Sequence, residues 1–477
     1  MGNSPPTTSI HILDDDSLLN VFHLYQPFLL GEVDDSRFRF LGGMGGWGRG
    51  RWWYKLSHVC QRWRRVILGS ASYLELSLVC TNGTPVAEML AHSPPLPLII
   101  DYRNENEGTT TEDKEAAIPA LTQYDRVRHV RLQMPVTNLK KLIVAMDDEY
   151  PILEYLIILH PEEDKISISR LPKTLQAPHL RHLTLHGFNT LRIRSRLLTT
   201  AVGLVTLCLF MVHPSTYFYP NTLLQWLSFM PQLETFTVDF RFPVPNRDVE
   251  KELTHTSITT PITLPYLHYF EFRGVGAYLE ALVHRIITPR LEKLQILFFN
   301  QLRFSVPHLL QFVDTTENLR FKSVKVEFTG RELDMEAYPH EEAKTYALSI
   351  AVMSCHLDWQ VSSAAQILNS LSPMFSAVEH LTFEHRSHNR SSEEHNEADR
   401  TELRQVLGSF RNVKTLRIAE GLVEELSRCL ELDDEELPLE LLPELQELAY
   451  SGKTGNAFTS FIKTRQDAGH PITLVRS

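Results

Sequence analysis

The sequence predicts a mixed α/β protein: a small all-α module first, then an irregular open solenoid of strand–helix units around a parallel sheet. Three observations predict it. A short apolar phrase returns many times behind residue 76. Helical spacing fills the intervals between its copies. Two amphipathic helical runs precede the array.

Taken in order, residues 1–9 read as a disordered tail. "LDDDSLLNVF" then opens a helix. Asp14 to Asp16 place negative charge where the helix dipole is positive, and Leu18, Leu19, Phe22 and Tyr25 share a face. A glycine-rich stretch, about 27–50, reads as a long loop. "WWYKLSHVCQRWRRVI" follows as a second helix, read as continuous. It puts Trp52 or Trp53, Leu56, Val59, Cys60, Trp63, Val66 and Ile67 on one stripe, while Lys55, Gln61, Arg62 and Arg65 face away.

From residue 77 to 477 the repeated phrase is apolar-x-x-apolar-x-apolar, often with proline just ahead. Clear copies are "YPILEYLIIL", "APHLRHLTLHGF", "MPQLETFTVDF", "LPYLHYFEFRG", "TPRLEKLQILFF", "FSAVEHLTFEH", "FRNVKTLRIAE" and "LPELQELAYSG". A weaker copy opens the series at Val127, Val130 and Leu132, and "FKSVKVEF" and "TYALSI" are degenerate ones. In each copy the last two apolar residues are two apart, so both point to one face of a short strand. Between copies, "NTLLQWLSFM", "GAYLEALVHRII", "SVPHLLQFV", "SSAAQILNSL" and "TELRQVLGSF" have helical spacing, and proline closes the helices. A period of roughly 24 to 35 residues repeated about eleven times exceeds the eight units of an α/β barrel, which favours an open array. Exposed polar loops are expected near 103–115 and 386–400.

Composition narrows the function classes. The 477 residues are 43% hydrophobic and 22% charged, as in ordinary globular chains. Five scattered cysteines (Cys60, Cys80, Cys208, Cys355, Cys429) form no C-x-x-C pair, which speaks for a reducing, intracellular setting. No secretory or myristoylation pattern opens the sequence, and the longest apolar run, "LVTLCLFMV", spans only half a bilayer. The net charge of −11 conceals a segregation: Arg37 to Arg65 holds eight basic residues and no acid, whereas Glu424 to Glu447 holds ten carboxylates against Arg428. With no nucleic-acid reading motif, neither nucleic acid nor membrane is an expected partner.

Catalytic chemistry finds no foothold either. "GMGGWG" satisfies G-x-G-x-x-G, yet no buried strand precedes it and no acid follows about twenty residues on. The Asp14–Asp16 and Asp147–Glu149 groups lack partner ligands, and His380, His385, His388 and His395 sit in or beside a polar run where spacing is unconstrained. No G-x-S-x-G or phosphate-binding loop is present. No catalytic residue, metal or cofactor is expected.

The two N-terminal phrases together resemble the F-box. "LDDDSLLNVF" matches that module's opening phrase and "LSHVCQRWRRVI" its second, with Asp14 where proline is usual and about twenty extra residues between them. The likeness spans residues 10–76, and the array behind it is similar to leucine-rich repeats, without their in-step asparagine. The whole is similar to leucine-rich F-box proteins of the large families of mushroom-forming fungi. The resemblance implies a substrate receptor of a Skp/cullin-type ubiquitin ligase, cytoplasmic or nuclear, binding a Skp-type linker and, through it, a cullin. Leu13, Leu18, Leu19, Val21, Phe22, Leu56, Val59, Cys60 and Trp63 would form or support the docking ridge, and the arginines could steer an acidic linker. The target protein would lie on outward strand residues, nominated by alternation: His182, Thr184, His186, Thr235, Thr237, Asp239, Tyr269, Glu271, Arg273, Lys293, Gln295, His380, Thr382, Glu384, Thr415 and Arg417. A non-ligase repeat scaffold or inhibitor is the alternative, and an α/β-barrel hydrolase the third reading.

Overall fold

The computed structural model describes residues 13–26, 51–103, 117–159, 171–187, 196–212, 218–241, 261–299, 305–329, 332–353, 357–385, 397–431, 441–451 and 457–476. The tail 1–9 and the insertion 27–50 lie outside them, as do the expected polar loops apart from Arg103 and 397–400.

At the N-terminus, α1 (Asp15–Tyr25) starts where expected. Asp14 is its N-cap, accepting the Ser17 N–H at 2.7 Å. Capping holds the Asp14 carboxyl below its usual range, the Ser17 backbone hydrogen bond being the main cause. The tryptophan-rich run corrects the sequence reading. It is two helices, α2 (Trp52–Ser57) and α3 (Gln61–Gly69), broken at Cys60, which is extended (φ −158°, ψ 170°) and whose Sγ accepts the Trp63 N–H at 3.5 Å. A side chain able to cap α3 ended the continuous helix that periodicity alone suggested.

Leu18 and Phe22 of α1 are buried, and the Phe22 and Trp63 rings meet edge to face at 4.9 Å. Arg62 reaches back to Asp15 at 2.7 Å and to the Leu13 carbonyl at 2.6 Å. Arg51 donates to the Val79 carbonyl and to the Thr81 and Thr84 hydroxyls, and Trp53 Nε1 donates to the Ser77 carbonyl. These bonds tie the helices to the first strand.

The chain divides into two compact units, residues 1–190 with 194–201, and 191–193 with 202–477; the boundary expected at 76/77 falls inside the first. The fold is mixed α/β, with a mostly parallel sheet of sixteen strands, and no pairing among the described residues closes it into a ring. In the first unit β1 (Leu78–Cys80), β2 (Leu98–Arg103), β3 (Val127–Gln133), β4 (Tyr155–Leu159) and β5 (His182–His186) are parallel in chain order. Helices α4 (Val86–His92), α5 (Val136–Val144) and α6 (Arg196–Thr200) accompany them.

The second unit holds β6 (Thr206–Val212), β7 (Thr235–Phe240), β9 (Tyr269–Gly274), β11 (Lys293–Phe298), β12 (Ser323–Phe328), β13 (Glu332–Tyr338), β14 (Leu348–Met353), β15 (His380–His385), β16 (Thr415–Ile418), β17 (Glu447–Tyr450) and β18 (Thr473–Arg476). A separate parallel pair is β8 (Ile262–Thr263) with β10 (Ile286–Ile287). Its helices are α7 (Pro220–Ser228), α8 (Gly276–Val283), α9 (Pro307–Asp314), α10 (Leu357–Phe375), α11 (Glu397–Gly408), α12 (Val423–Leu430) and α13 (Thr459–Asp467). All five helical runs named from spacing are helices here.

The repeated phrase does the core-building. Leu156 and Ile158, Leu183 and Leu185, Phe236 and Val238, Phe270 and Phe272, Leu294 and Ile296, Leu381 and Phe383, and Leu416 and Ile418 are all buried. Each such side chain contributes about 1.5–3 kcal/mol by leaving water.

Parallel pairing in strict chain order does not hold throughout. The order β11-β14-β13-β12-β15 runs backwards in the middle, and β13 is antiparallel to both neighbours. Thr329 and Glu332 close the β12–β13 connection through reciprocal bonds, Glu332 N–H to Thr329 Oγ1 at 3.0 Å and Thr329 N–H to the Glu332 carbonyl at 3.0 Å. The antiparallel register of these two consecutive strands makes them a hairpin, and a hairpin reverses direction.

One buried carboxylate fixes a helix start. α9 begins at Pro307, and the N–H groups of His308 and Leu309 donate to Glu280 of α8 at 2.8 and 2.9 Å. Glu280→Ala removes this cap and is expected to lower stability by about 1–3 kcal/mol in urea unfolding, with Glu280→Gln recovering part of it. A loss equal to that of an exposed-surface substitution would refute the role.

Candidate functional site

Two surfaces gather the nominated residues. The first is the N-terminal helical module. Among its nine nominated residues, Leu18 and Phe22 are buried between helices, whereas Leu19, Leu56, Cys60 and Trp63 are partly covered. Leu13, Val21 and Val59 face solvent, Val59 with 58% of its surface exposed. Leu18 and Phe22 therefore pack the inside of the module and do not reach its surface. Val59 leaves the expected buried stripe because the α2–α3 break turns it outward.

Two residues escaped the sequence reading as surface anchors: Leu24, 74% exposed, and Tyr25, whose ring lies 6.3 Å from that of Trp52. Helical spacing from Val21 (i+3, i+4) places them on its face, so Tyr25 stands in solvent and not inside with Leu18 and Phe22. Arg51 and Arg62 are half-buried and bonded within the chain, Arg64 is exposed while donating to the Ser57 carbonyl, and Lys55 and Arg65 are exposed as well.

The second surface is the outward face of the strands. In the first unit, register places His129, Tyr155 and His182 side by side on β3, β4 and β5. Tyr155 stacks on His182 at 4.2 Å and meets His129 edge-on at 4.5 Å. His182 and His186 are half-buried, but Thr184 is buried, which corrects its expected exposure. Burial, with Arg181 and His129 nearby, pushes the His182 imidazole down to about 4; burial likewise lowers His129.

In the second unit Thr235, Thr237 and Asp239 are also buried where exposure was expected. Longer side chains of β9 lie over them: Thr237 donates to Glu271 Oε2 at 3.4 Å, and Arg273 pairs with Asp239 at 3.5 Å. The Tyr269 hydroxyl reaches both Glu271 Oε2 at 3.0 Å and Gln295 at 3.2 Å, and Tyr346 donates to Gln295 at 2.9 Å. Lys293 sits 3.9 Å above the Tyr346 ring. Further along, Glu341 joins His380 at 3.4 Å to Arg417 at 2.5 Å, and Lys325 pairs with both Glu327 and Glu384. Thr382 and Thr415 are half-buried on the same strands, Thr415 in register with His380.

Alternation puts Lys325 and Glu327 on one face of β12 and Asp334 and Glu336 on one face of β13, and the hairpin register that joins those faces is not written in either strand's own period. Asp334 lies opposite Glu327, with Ser349 donating to it at 3.3 Å. Burial first, then Glu336 and Glu332, raises its carboxyl to about 7. A carboxyl whose folded pKa exceeds its unfolded one stabilises fully below about pH 4 and loses that contribution as pH rises through 7. Asp334→Asn is therefore expected to raise the melting temperature at pH 8 and to flatten its decline between pH 5 and 8. An unchanged slope would contradict this.

Among the described residues no group of His, Cys, Asp and Glu could hold a metal, and no helix is long and apolar enough to cross a membrane. No protein-family model matches the chain, and no curated protein matches it.

Proposed function

We propose that this chain is a non-catalytic substrate receptor of a Skp/cullin-type ubiquitin ligase in the cytoplasm or nucleus. Its N-terminal helices would act as an F-box and its strand–helix array as an irregular leucine-rich-repeat solenoid. The observation that carries the reading is the exposed apolar set Val21, Leu24, Tyr25 and Val59 on a module otherwise pinned by the Phe22–Trp63 contact and the Arg62–Asp15 pair. Apolar side chains standing in water on a well-packed helix call for a partner. The Skp-type linker supplies that cover, the cullin follows through it, and the outward strand residues hold a target protein. Ubiquitin transfer is accelerated by proximity, with the bond chemistry done by other subunits.

The experiment mixes the purified full chain with a purified Skp-type linker and follows co-elution and calorimetric binding. A stable one-to-one complex supports the receptor reading. No binding at tens of micromolar would reject it in favour of the repeat scaffold.

A further inference from the structure

One arginine ties the tryptophan-rich helices to the turn behind β1, and it does so largely through hydroxyls. Arg51, the N-cap of α2, sends Nη2 to the Val79 carbonyl at 3.0 Å, to Thr81 Oγ1 at 3.1 Å and to Thr84 Oγ1 at 2.7 Å. Residues 81–84 form a β-turn. The Thr84 N–H donates to the Thr81 carbonyl at 3.0 Å, and Gly83 supplies the positive φ, 73°, at the third place.

Thr84 is half-buried, while Asn82, Gly83 and Pro85 on either side of it are exposed. Its oxygen accepts from the Thr81 N–H at 3.1 Å as well as from Arg51. Neither bond uses the hydroxyl's own hydrogen, so an ester on that oxygen leaves both donors in place. Proline follows at 85 and keeps Thr84 out of the helical region, in the extended backbone that a kinase cleft takes. Other described hydroxyls ahead of a proline lack this combination. Thr288 is buried at 3% exposure, Ser372 lies inside α10, and Ser93 has no described arginine on its hydroxyl.

We propose that Thr84 is a phosphorylation site for a proline-directed kinase and that Arg51 receives the phosphate. Thr84 Oγ1 attacks the γ-phosphorus of a nucleoside triphosphate and its proton passes to the kinase's base. The bond from that phosphorus to the bridging oxygen breaks, and nucleoside diphosphate leaves. The ester carries a charge of about −1.5 to −2 at neutral pH. It replaces a hydroxyl–guanidinium bond by a charge-assisted one, about twice as strong as a bond between neutral groups. Arg51 starts α2 and Thr84 lies just ahead of α4, so the phosphate fastens the helical module to the first strand–helix unit. This holds whichever partner the module takes.

The test treats the purified full chain with a proline-directed serine/threonine kinase and magnesium ATP, with a peptide of residues 78–90 as reference substrate. Fragment-ion mass spectrometry should place one phosphate on Thr84. The melting temperature should rise by about 2 °C or more. Phosphorus NMR should give the ester a second pKa below that of the phosphopeptide, which lies near about 6. The thermal gain should vanish in Arg51→Gln and survive in part in Arg51→Lys, which keeps the charge without the fork.

Phosphate on Ser93 with none on Thr84, or modification of the peptide but not of the folded chain, overturns the proposal. An equal thermal gain in Arg51→Gln overturns it too. So does a phosphate pKa matching that of the peptide, a reading on the wild-type chain that decides the matter even where Arg51→Gln fails to fold.

Discussion

Replacing Val21 and Leu24 together by glutamate is expected to weaken binding of a Skp-type linker at least about 100-fold while leaving the melting temperature within about 2 °C of wild type. Both side chains face water in the chain alone, Leu24 with 74% of its surface exposed, so charging them costs little in the free protein. In a complex the same carboxylates would be driven into an apolar contact without a counter-charge, which is costly. Leu18→Ala makes the contrast. Leu18 is fully buried, its truncation should cost about 2–5 kcal/mol, and any loss of linker would follow from a loosened module. Full linker affinity in a folded Val21→Glu/Leu24→Glu chain would remove the docking face from these residues.

The largest expected stability effect is at Arg465 on α13. Its side chain is fully buried, and its guanidinium donates to the carbonyls of Leu442 at 3.2 Å, Pro443 at 3.0 Å and Leu445 at 3.3 Å. Leu442 sits in the left-handed region at φ 50°, a conformation that a leucine adopts only when its surroundings hold it. Arg465→Met keeps much of the volume but removes the guanidinium from all three carbonyls, leaving the Leu442 carbonyl only the Leu445 N–H, and should cost about 3–5 kcal/mol in denaturant unfolding. Arg465→Lys should recover little, since one ammonium cannot span the three acceptors that a planar fork reaches. A loss under about 1 kcal/mol for Arg465→Met would show that the 442–445 turn holds itself.

Legibility in the sequence followed the reach of each interaction. The apolar-x-x-apolar-x-apolar phrase marks its own strands because alternation is a local property: Phe236 and Val238, or Leu416 and Ile418, bury wherever the strand goes. The same alternation found His182, Tyr269 and His380 on the outward face. It could not find that Thr184, Thr235, Thr237 and Asp239 would be buried there. Their cover comes from neighbouring strands, such as Glu271 over Thr237 and Arg273 beside Asp239, and the lengths of cross-strand neighbours are not written in a strand's own period.

By itself the sequence determined the alternating α/β plan, the start of α1 at Asp14 and the apolar core rows, since capping and periodicity act within a few residues. Only the tertiary structure decided that Cys60 breaks the tryptophan-rich helix, that Leu18 and Phe22 turn inward while Val21 and Leu24 stay in water, and that β13 runs against its neighbours. The physical reason is one of range. A helix has two apolar edges whenever its sequence does, and which of them meets another helix depends on where Trp63 finds Phe22 and Arg62 finds Asp15, the latter 47 residues away in the chain.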